Sequence, residues 1–209
     1  AVSGDITATG GTVNALTAAT TAAGAVNGID LVNHDDTIGG ILSLDSLDLK
    51  VTATGAKLTG ETEYASASAA GVLQDNYSNS QYGNSTLTVT GATNLQVTAT
   101  GAAPIDNGTL EDAYTHADGL YIIGNRGKSS SYTVADLGPV TATVTANGGT
   151  ANTQSSKIDT EAIGLYMVNK VAAKSLDLTV TATGGTVKGA TDGAANQGPF
   201  ETLAYGIQA

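Results

Sequence analysis

Two acidic runs hold most of the side chains able to bind a metal or move a proton: "HDD" at 34–36 and "EDAYTHAD" at 111–118. Each adjoins a Gly–aliphatic phrase, "NGIDLV" at 27–32 and "DGLYII" at 118–123, in stretches that read as loops. Carboxylates and loop carbonyls are the oxygen ligands that a hard cation such as Ca²⁺ prefers. Asp35, Asp36 and Asp118 are the candidate ligands, and Ca²⁺ is the one cofactor suggested; Asp75 would share the ion with Asp35 or Asp36 if neighbouring loops stack. Neither the EF-hand spacing nor a G-G-x-G-x-D repeat is present, and a solvated cluster of loop charges accounts for the same residues. His34 and His116 have no nucleophile placed to use them, and serine is abundant only in loop-like stretches, so nothing argues for a Ser-His-Asp site. The expectation is a protein that is not an enzyme.

Hydroxyls and aromatic rings offer binding instead. The pairs Thr7/Thr9, Thr52/Thr54, Thr98/Thr100 and Thr181/Thr183 recur in the same phrase, with one break at Thr145/Asn147. Tyr121 and Tyr166 occupy equivalent outward positions and would stack into a short ladder, as a contact site or as packing under a loop. Asn76, Asn84 and Asn107 begin Asn-x-Ser/Thr triplets in loop-like segments, where a glycan would fit.

Charge excludes several partners. The chain carries 8 Lys plus Arg against 19 Asp plus Glu, for a net −11, and Arg126 is its single arginine. No basic stripe exists to neutralise phosphates, so no nucleic-acid partner is expected. An acidic surface disfavours adsorption to anionic lipid. No run approaches the roughly 20 apolar residues of a membrane helix, so no membrane insertion is expected. Without Cys there is neither a disulfide nor a thiolate metal site.

The elements that must position these residues form a repeat. "LKVTATGA" at 49–56, "LQVTATGA" at 95–102 and "LTVTATGG" at 178–185 are near copies, with "DITATGG" at 5–11 and "ATVTANGG" at 142–149 as variants. Their glycines, Gly10, Gly55, Gly101, Gly148 and Gly184, are 45, 46, 47 and 36 residues apart. The Gly–aliphatic phrase keeps a similar period through Gly28, Gly71, Gly119, Gly164 and Gly206. Leu49, Val51 and Ala53 alternate with Lys50, Thr52 and Thr54, the mark of a strand with one dry and one wet face. The paired glycines after the Thr strand allow a sharp bend or positive φ. "ILSL" at 41–44, "TLTV" at 86–89 and "YTVADL" at 132–137 read as a third strand, absent as a separate segment from the 36-residue repeat. "YASASA" at 64–69 and "GNRGKSSS" at 124–131 read as loops.

Short strands at a fixed long period predict an all-β parallel solenoid, one domain over residues 1–209, with about 4.5 irregular repeats of 36–48 residues. Stacked coils would align Ile6, Val51, Val97, Val144 and Val180 in one internal ladder and Ala8, Ala53, Ala99, Ala146 and Ala182 in the next. One long coil or two short ones per repeat both fit, and a jelly roll or sandwich is the competing fold.

The alternation of "AVNGIDLV", "EAIGLYMV" and "LAYGIQA" with "LDLKVTATGAKL" and "LDLTVTATGGTV" resembles the right-handed β-helix passengers of bacterial autotransporter adhesins, over essentially the whole chain. The resemblance implies an extracellular, cell-surface protein serving adhesion, aggregation or coating, with a host or neighbouring-cell glycan or protein as partner. The translocator barrel that such proteins carry is not among these residues. The array begins on a Thr strand and ends on a Gly–aliphatic strand without a polar cap, so self-association into a fibre, end to end or by strand exchange, is expected. Two alternatives differ in class. The Thr pairs resemble the ice-binding face of solenoid antifreeze proteins, and a ligand-binding module, for ice or glycan, is the runner-up. Asp35 and Asp36 with Arg126 and Lys128 faintly resemble the acidic and basic pairs of polygalacturonase-like β-helix enzymes, but the Gly-His-Gly segment is missing and stacking aromatics are sparse.

Overall fold

The period-two phrases fold as strands that pair only with their own copies in the next repeat. The computed structural model describes residues 1–13, 21–33, 41–76, 85–105, 108–123, 133–152, 157–187 and 200–209. The first coil consists of β1 (Val2–Thr9), β2 (Thr12–Val13), β3 (Thr21–Asn33) and β4 (Ile41–Leu44). The second follows with β5 (Leu47–Thr54), β6 (Lys57–Leu58), β7 (Glu61–Asn76) and β8 (Thr86–Val89). The third adds β9 (Thr93–Thr100), β10 (Ala103–Pro104), β11 (Thr109–Ile123) and the start of β12 (Thr133–Asn147). β12 continues into the fourth coil, which adds β13 (Thr150–Ala151), β14 (Lys157–Val168) and the start of β15 (Lys170–Thr183). The remainder of β15, with β16 (Thr186–Val187) and β17 (Phe200–Gln208), makes the incomplete fifth coil.

All ladders are parallel. The Thr strands pair in the order β1, β5, β9, β12, β15, and the Gly–aliphatic strands in the order β3, β7, β11, β14, β17. Register offsets equal the glycine spacings: Val2 pairs with Leu47, Leu47 with Thr93, Val140 with Thr93 and with Leu176. The Ile6–Val51–Val97–Val144–Val180 and Ala8–Ala53–Ala99–Ala146–Ala182 ladders form as expected. This is a parallel β-solenoid with one coil per repeat. Adjacent coils stack at the strand spacing of about 4.8 Å.

The core is thin and aliphatic. Val51, Val97 and Val144 of the Thr ladder meet Val72, Leu120 and Leu165 of the Gly–aliphatic ladder and Leu87, Val89 and Leu137 of the third strands. A second cluster, with Leu58, Ala65, Ala102, Leu110, Ala113, Ala151 and Ile158, fills the corner under the two-residue strands β6, β10 and β13. Those short strands escape the sequence reading because two residues carry no period.

One expectation needs correction, and two others are narrowed. The "YASASA" and "EDAYTHAD" segments are strand, inside β7 and β11. Their small inward residues, Ala65, Ala67, Ala69, Ala113, Thr115 and Ala117, fit a core too shallow for larger side chains, so Ser- and Ala-rich composition here marks a narrow interior rather than a loop. The third strand is, as expected, not a separate segment of the short repeat. It is fused: Lys170, Val171 and Ala173 of β15 pair with Thr133, Ala135 and Leu137 of β12. What shortens the repeat is the corner between β14 and β15, closed by the single residue Asn169 at φ 82°. Asn enters this left-handed region more readily than other residues with a side chain.

Of the two roles left open for the glycines after the Thr strands, positive φ is not used: Gly10, Gly55, Gly101, Gly148 and Gly184 all lack it. They are required by close approach of the next coil. A Cβ on Gly119 would lie 2.5 Å from the Gly164 carbonyl oxygen and 3.0 Å from Val144 Cγ2. A Cβ on Gly101 would lie 2.3 Å from the Gly149 nitrogen and 2.4 Å from Thr115 Oγ1.

Candidate functional site

Outward residues of the Gly–aliphatic sheet make its lateral face chemically distinct. The register brings His116 beside Glu161 and Ser68, Tyr114 beside Asp159 and Ser66, and Tyr121 beside Tyr166 and Leu73. His116 is held between two carboxylates: Nε2 lies 2.9 Å from Asp118 Oδ2 and Nδ1 lies 3.2 Å from Glu161 Oε2. Both contacts are satisfied together only by the imidazolium, which donates from both nitrogens. Burial works against that charge, but the Asp118 hydrogen bond and the carboxylates of Asp118, Glu161 and Asp159 outweigh it and raise the His116 pKa above 6.5. The Glu161 pKa is also raised, chiefly by burial, with His116 opposing. Tyr114, Thr115, His116, Asp159 and Glu161 line a shallow cleft of about 50 Å³ here.

Aromatic pairs flank this cluster. Tyr121 and Tyr166 stack with centroids 4.8 Å apart and planes 11° from parallel, as expected from their positions. Tyr64 and Tyr114 pack at 4.8 Å with a 32° tilt, and Lys157 Nζ stands 5.0 Å over the Tyr114 ring. Because the rings of Tyr121 and Tyr166 stack coil on coil, they turn their faces to each other.

Of the three proposed calcium ligands, Asp35 and Asp36 lie outside the described residues, as do His34, Arg126, Lys128, Asn84 and Asn107. Asp118 is within β11, not a loop, with its side chain only 7% exposed and turned to His116. No group of three or more His, Asp or Glu side chains that could hold a metal ion occurs among the described residues. Glu161, Asp159, Lys157 and the Tyr64–Tyr114 pair are the functional-face residues the sequence reading missed. The signal was present: the 45 residues from Gly119 to Gly164 also separate His116 from Glu161.

On the opposite side the Thr array takes the expected form. Thr7, Thr52, Thr98, Thr145 and Thr181 align in one outward column, and Thr9, Thr54, Thr100, Asn147 and Thr183 in the next. The neighbouring column carries Asp5 and Lys50, paired at 3.2 Å on the open surface.

Comparison with known proteins gives no match, whether to a family model, a curated protein or a solved structure.

Proposed function

We propose that this chain is an extracellular structural and adhesive β-solenoid, a rigid rod displayed at a cell surface. The observation that carries the reading is the division of labour in each coil. Inward columns repeat nearly unchanged through five coils, while the outward Gly–aliphatic face varies from coil to coil and gathers Tyr114, His116, Asp118, Asp159 and Glu161 in one place. A repeated interior supplies length and stiffness, and the varied exterior supplies contacts. The partner that fits this face is a polyhydroxylated glycan, bound through Asp159, Glu161 and the serines of β7. Stacking of sugar on the tyrosines is a minor contribution, since their faces meet one another.

Beads coupled covalently to the chain test this on a panel of immobilised glycans. Attachment that weakens at least tenfold with Glu161→Gln plus Asp159→Asn supports the reading; attachment unaffected by the pair, or none above uncoated beads, refutes it. A second reading has its own support, the two Thr columns in register over five coils. Under it the hydroxyl grid binds ice, and thermal hysteresis abolished by Thr98→Lys would favour it over the first.

A further inference from the structure

We propose that His116 is a proton-operated latch on Glu161: the imidazolium holds the Glu161 carboxylate, and loss of the Nδ1 proton releases that carboxylate to bind glycan. This rests on the adhesive reading above and adds its regulation.

The latch spans two coils. His116 belongs to β11 and Glu161 to β14, paired in register as outward residues of one column. Both strands are interior to their sheet, and the column continues through Ser68 on one side and Leu203 on the other, neither of them charged. On its own strand the ring has Asp112, Tyr114 and Asp118 as titratable neighbours; β14 brings Lys157, Asp159 and Glu161. Tyr64 of β7 and Glu201 of β17 complete the set from the flanking coils. Lys157, the one other cation among them, stands over the Tyr114 ring, and the ion-pair partner of Glu161 among the described residues is His116.

The two carboxylates that hold the ring are not equivalent. The Asp118 side chain is 7% exposed and its Oδ1 already lacks a hydrogen-bond partner, so losing the 2.9 Å bond from Nε2 to Oδ2 as well would strand a buried charge. The Glu161 side chain is 24% exposed, its contact with Nδ1 is longer at 3.2 Å, and solvent can replace it. A neutral imidazole keeps one N–H. Asp118 retains that proton on Nε2, so the proton that leaves is the one on Nδ1. Nδ1 then turns a lone pair toward the Glu161 carboxylate, acceptor facing acceptor, and the contact becomes repulsive. Glu161 is the partner free to move, because its carboxylate is the one solvent reaches.

The direction with pH follows. Burial lowers the His116 pKa, but the Asp118 hydrogen bond and the carboxylates of Asp118, Glu161 and Asp159 outweigh it. The latch is therefore shut below about pH 6.5 and opens as pH rises through the higher folded value. While it is shut, Glu161 Oε2 is committed to the ring. Once it opens, Asp159 and Glu161, two residues apart on one outward face and both lining the cleft beside Tyr114, accept from sugar hydroxyls together.

Two measurements test the latch. Heteronuclear NMR of the 209-residue chain follows the imidazole nitrogens and the glutamate carboxyl carbons from pH 5 to pH 9; the chain has two histidines, and His116→Gln identifies the ring. The expected result is a neutral ring protonated on Nε2, with the Glu161 signal moving at the His116 midpoint and that movement absent from His116→Gln. A neutral ring protonated on Nδ1, or a Glu161 signal indifferent to the titration of His116, overturns the proposal. Beads coupled covalently to the chain give the functional readout on immobilised mannan, dextran and galactan, neutral polymers that do not titrate in this range. Attachment should be about tenfold stronger at pH 8.5 than at pH 5.5, the worth of one charge-assisted hydrogen bond. His116→Gln, which takes up no proton, should attach equally at both, and His116→Arg, charged throughout, weakly at both. Parent attachment that is equal at the two pH values overturns the proposal and leaves the adhesive reading standing. Absence of attachment to all three polymers at either pH is a failure of the adhesive reading, and the NMR titration then decides the latch alone.

Discussion

The glycine column makes the sharpest demand on this fold, and Gly119→Ala tests it. Alanine is the smallest change available, and in an exposed strand it would help: removing glycine's extra freedom in the unfolded chain is worth about 0.5–1 kcal/mol. At Gly119 the new methyl would sit 2.5 Å from the Gly164 carbonyl oxygen, 0.9 Å inside the 3.4 Å limit of ordinary contact, and 3.0 Å from Val144 Cγ2. The oxygen lies between Ile163 and Leu165, each paired with strands on both sides, so it cannot step aside alone. Relief requires spreading coils three and four. Overpacking of this kind costs about 1–3 kcal/mol, and weakening a ladder bond about 1 kcal/mol more. After the entropic gain, about 2–3 kcal/mol of destabilisation remains, or roughly 5–10 °C in the midpoint for a chain of this size.

Two controls separate space from conformation. Gly206 carries the same motif in the same column, and Gly24 lies in an open strand; neither would place a Cβ within 4 Å of another residue, and neither has positive φ. Alanine at either should leave dilute protein unchanged or more stable by up to about 1 kcal/mol. Urea unfolding followed by circular dichroism measures all three. Because coils contact only their neighbours, Gly119→Ala should also loosen amide exchange in β14 and β15 more than in β1 and β5. Equal midpoints for Gly119→Ala and Gly206→Ala would refute coil-to-coil contact as the reason for the glycines.

Three further outcomes follow from the geometry. The His116 pKa is raised in the fold, so its stabilisation is fully present below about pH 6.5 and is lost as pH rises through the higher folded value; melting should show the parent more stable than His116→Gln at pH 5.5, with the gap narrowing by pH 8.5. Asn169 sits at φ 82°, so Asn169→Ala should cost about 1 kcal/mol more than Asn169→Gly in a denaturant titration. Gln74 is fully buried and its Nε2 donates to the Ser85 and Val134 carbonyls at 2.7 and 3.2 Å, tying the Gly–aliphatic sheet to the third strands; Gln74→Ala should cost about 3 kcal/mol by the same titration.

The coil was legible because its markers are local. Each Thr strand declares its dry and wet faces within eight residues, and the spacing of Gly10, Gly55 and Gly101 equals the register by which their strands pair. The two-residue strands were not legible, since Lys57–Leu58 and Ala103–Pro104 are held by position in the coil rather than by pattern. The N-terminal halves of β7 and β11 were misread as loops because serine and alanine were judged by polarity. Against a narrow interior, Ala65 and Ala113 are the residues that fit, and the serines between them face outward.

The lateral face was hidden for a different reason. His116 and Glu161 lie 45 residues apart, and no local pattern joins them. They meet because one strand lies on the next, so a site in a solenoid is written across coils, at the repeat offset, and not along the chain. The same arithmetic sets Tyr121 on Tyr166. A substitution in an outward column therefore changes its own coil and the surface seen by both neighbours, while the inward ladder of Val51, Val97 and Val144 stays as it was. That independence lets five copies of one phrase carry five different surfaces. It also means that chemistry at His116 depends on Glu161 keeping its register, which the Gly119 and Gly164 contact enforces three residues away.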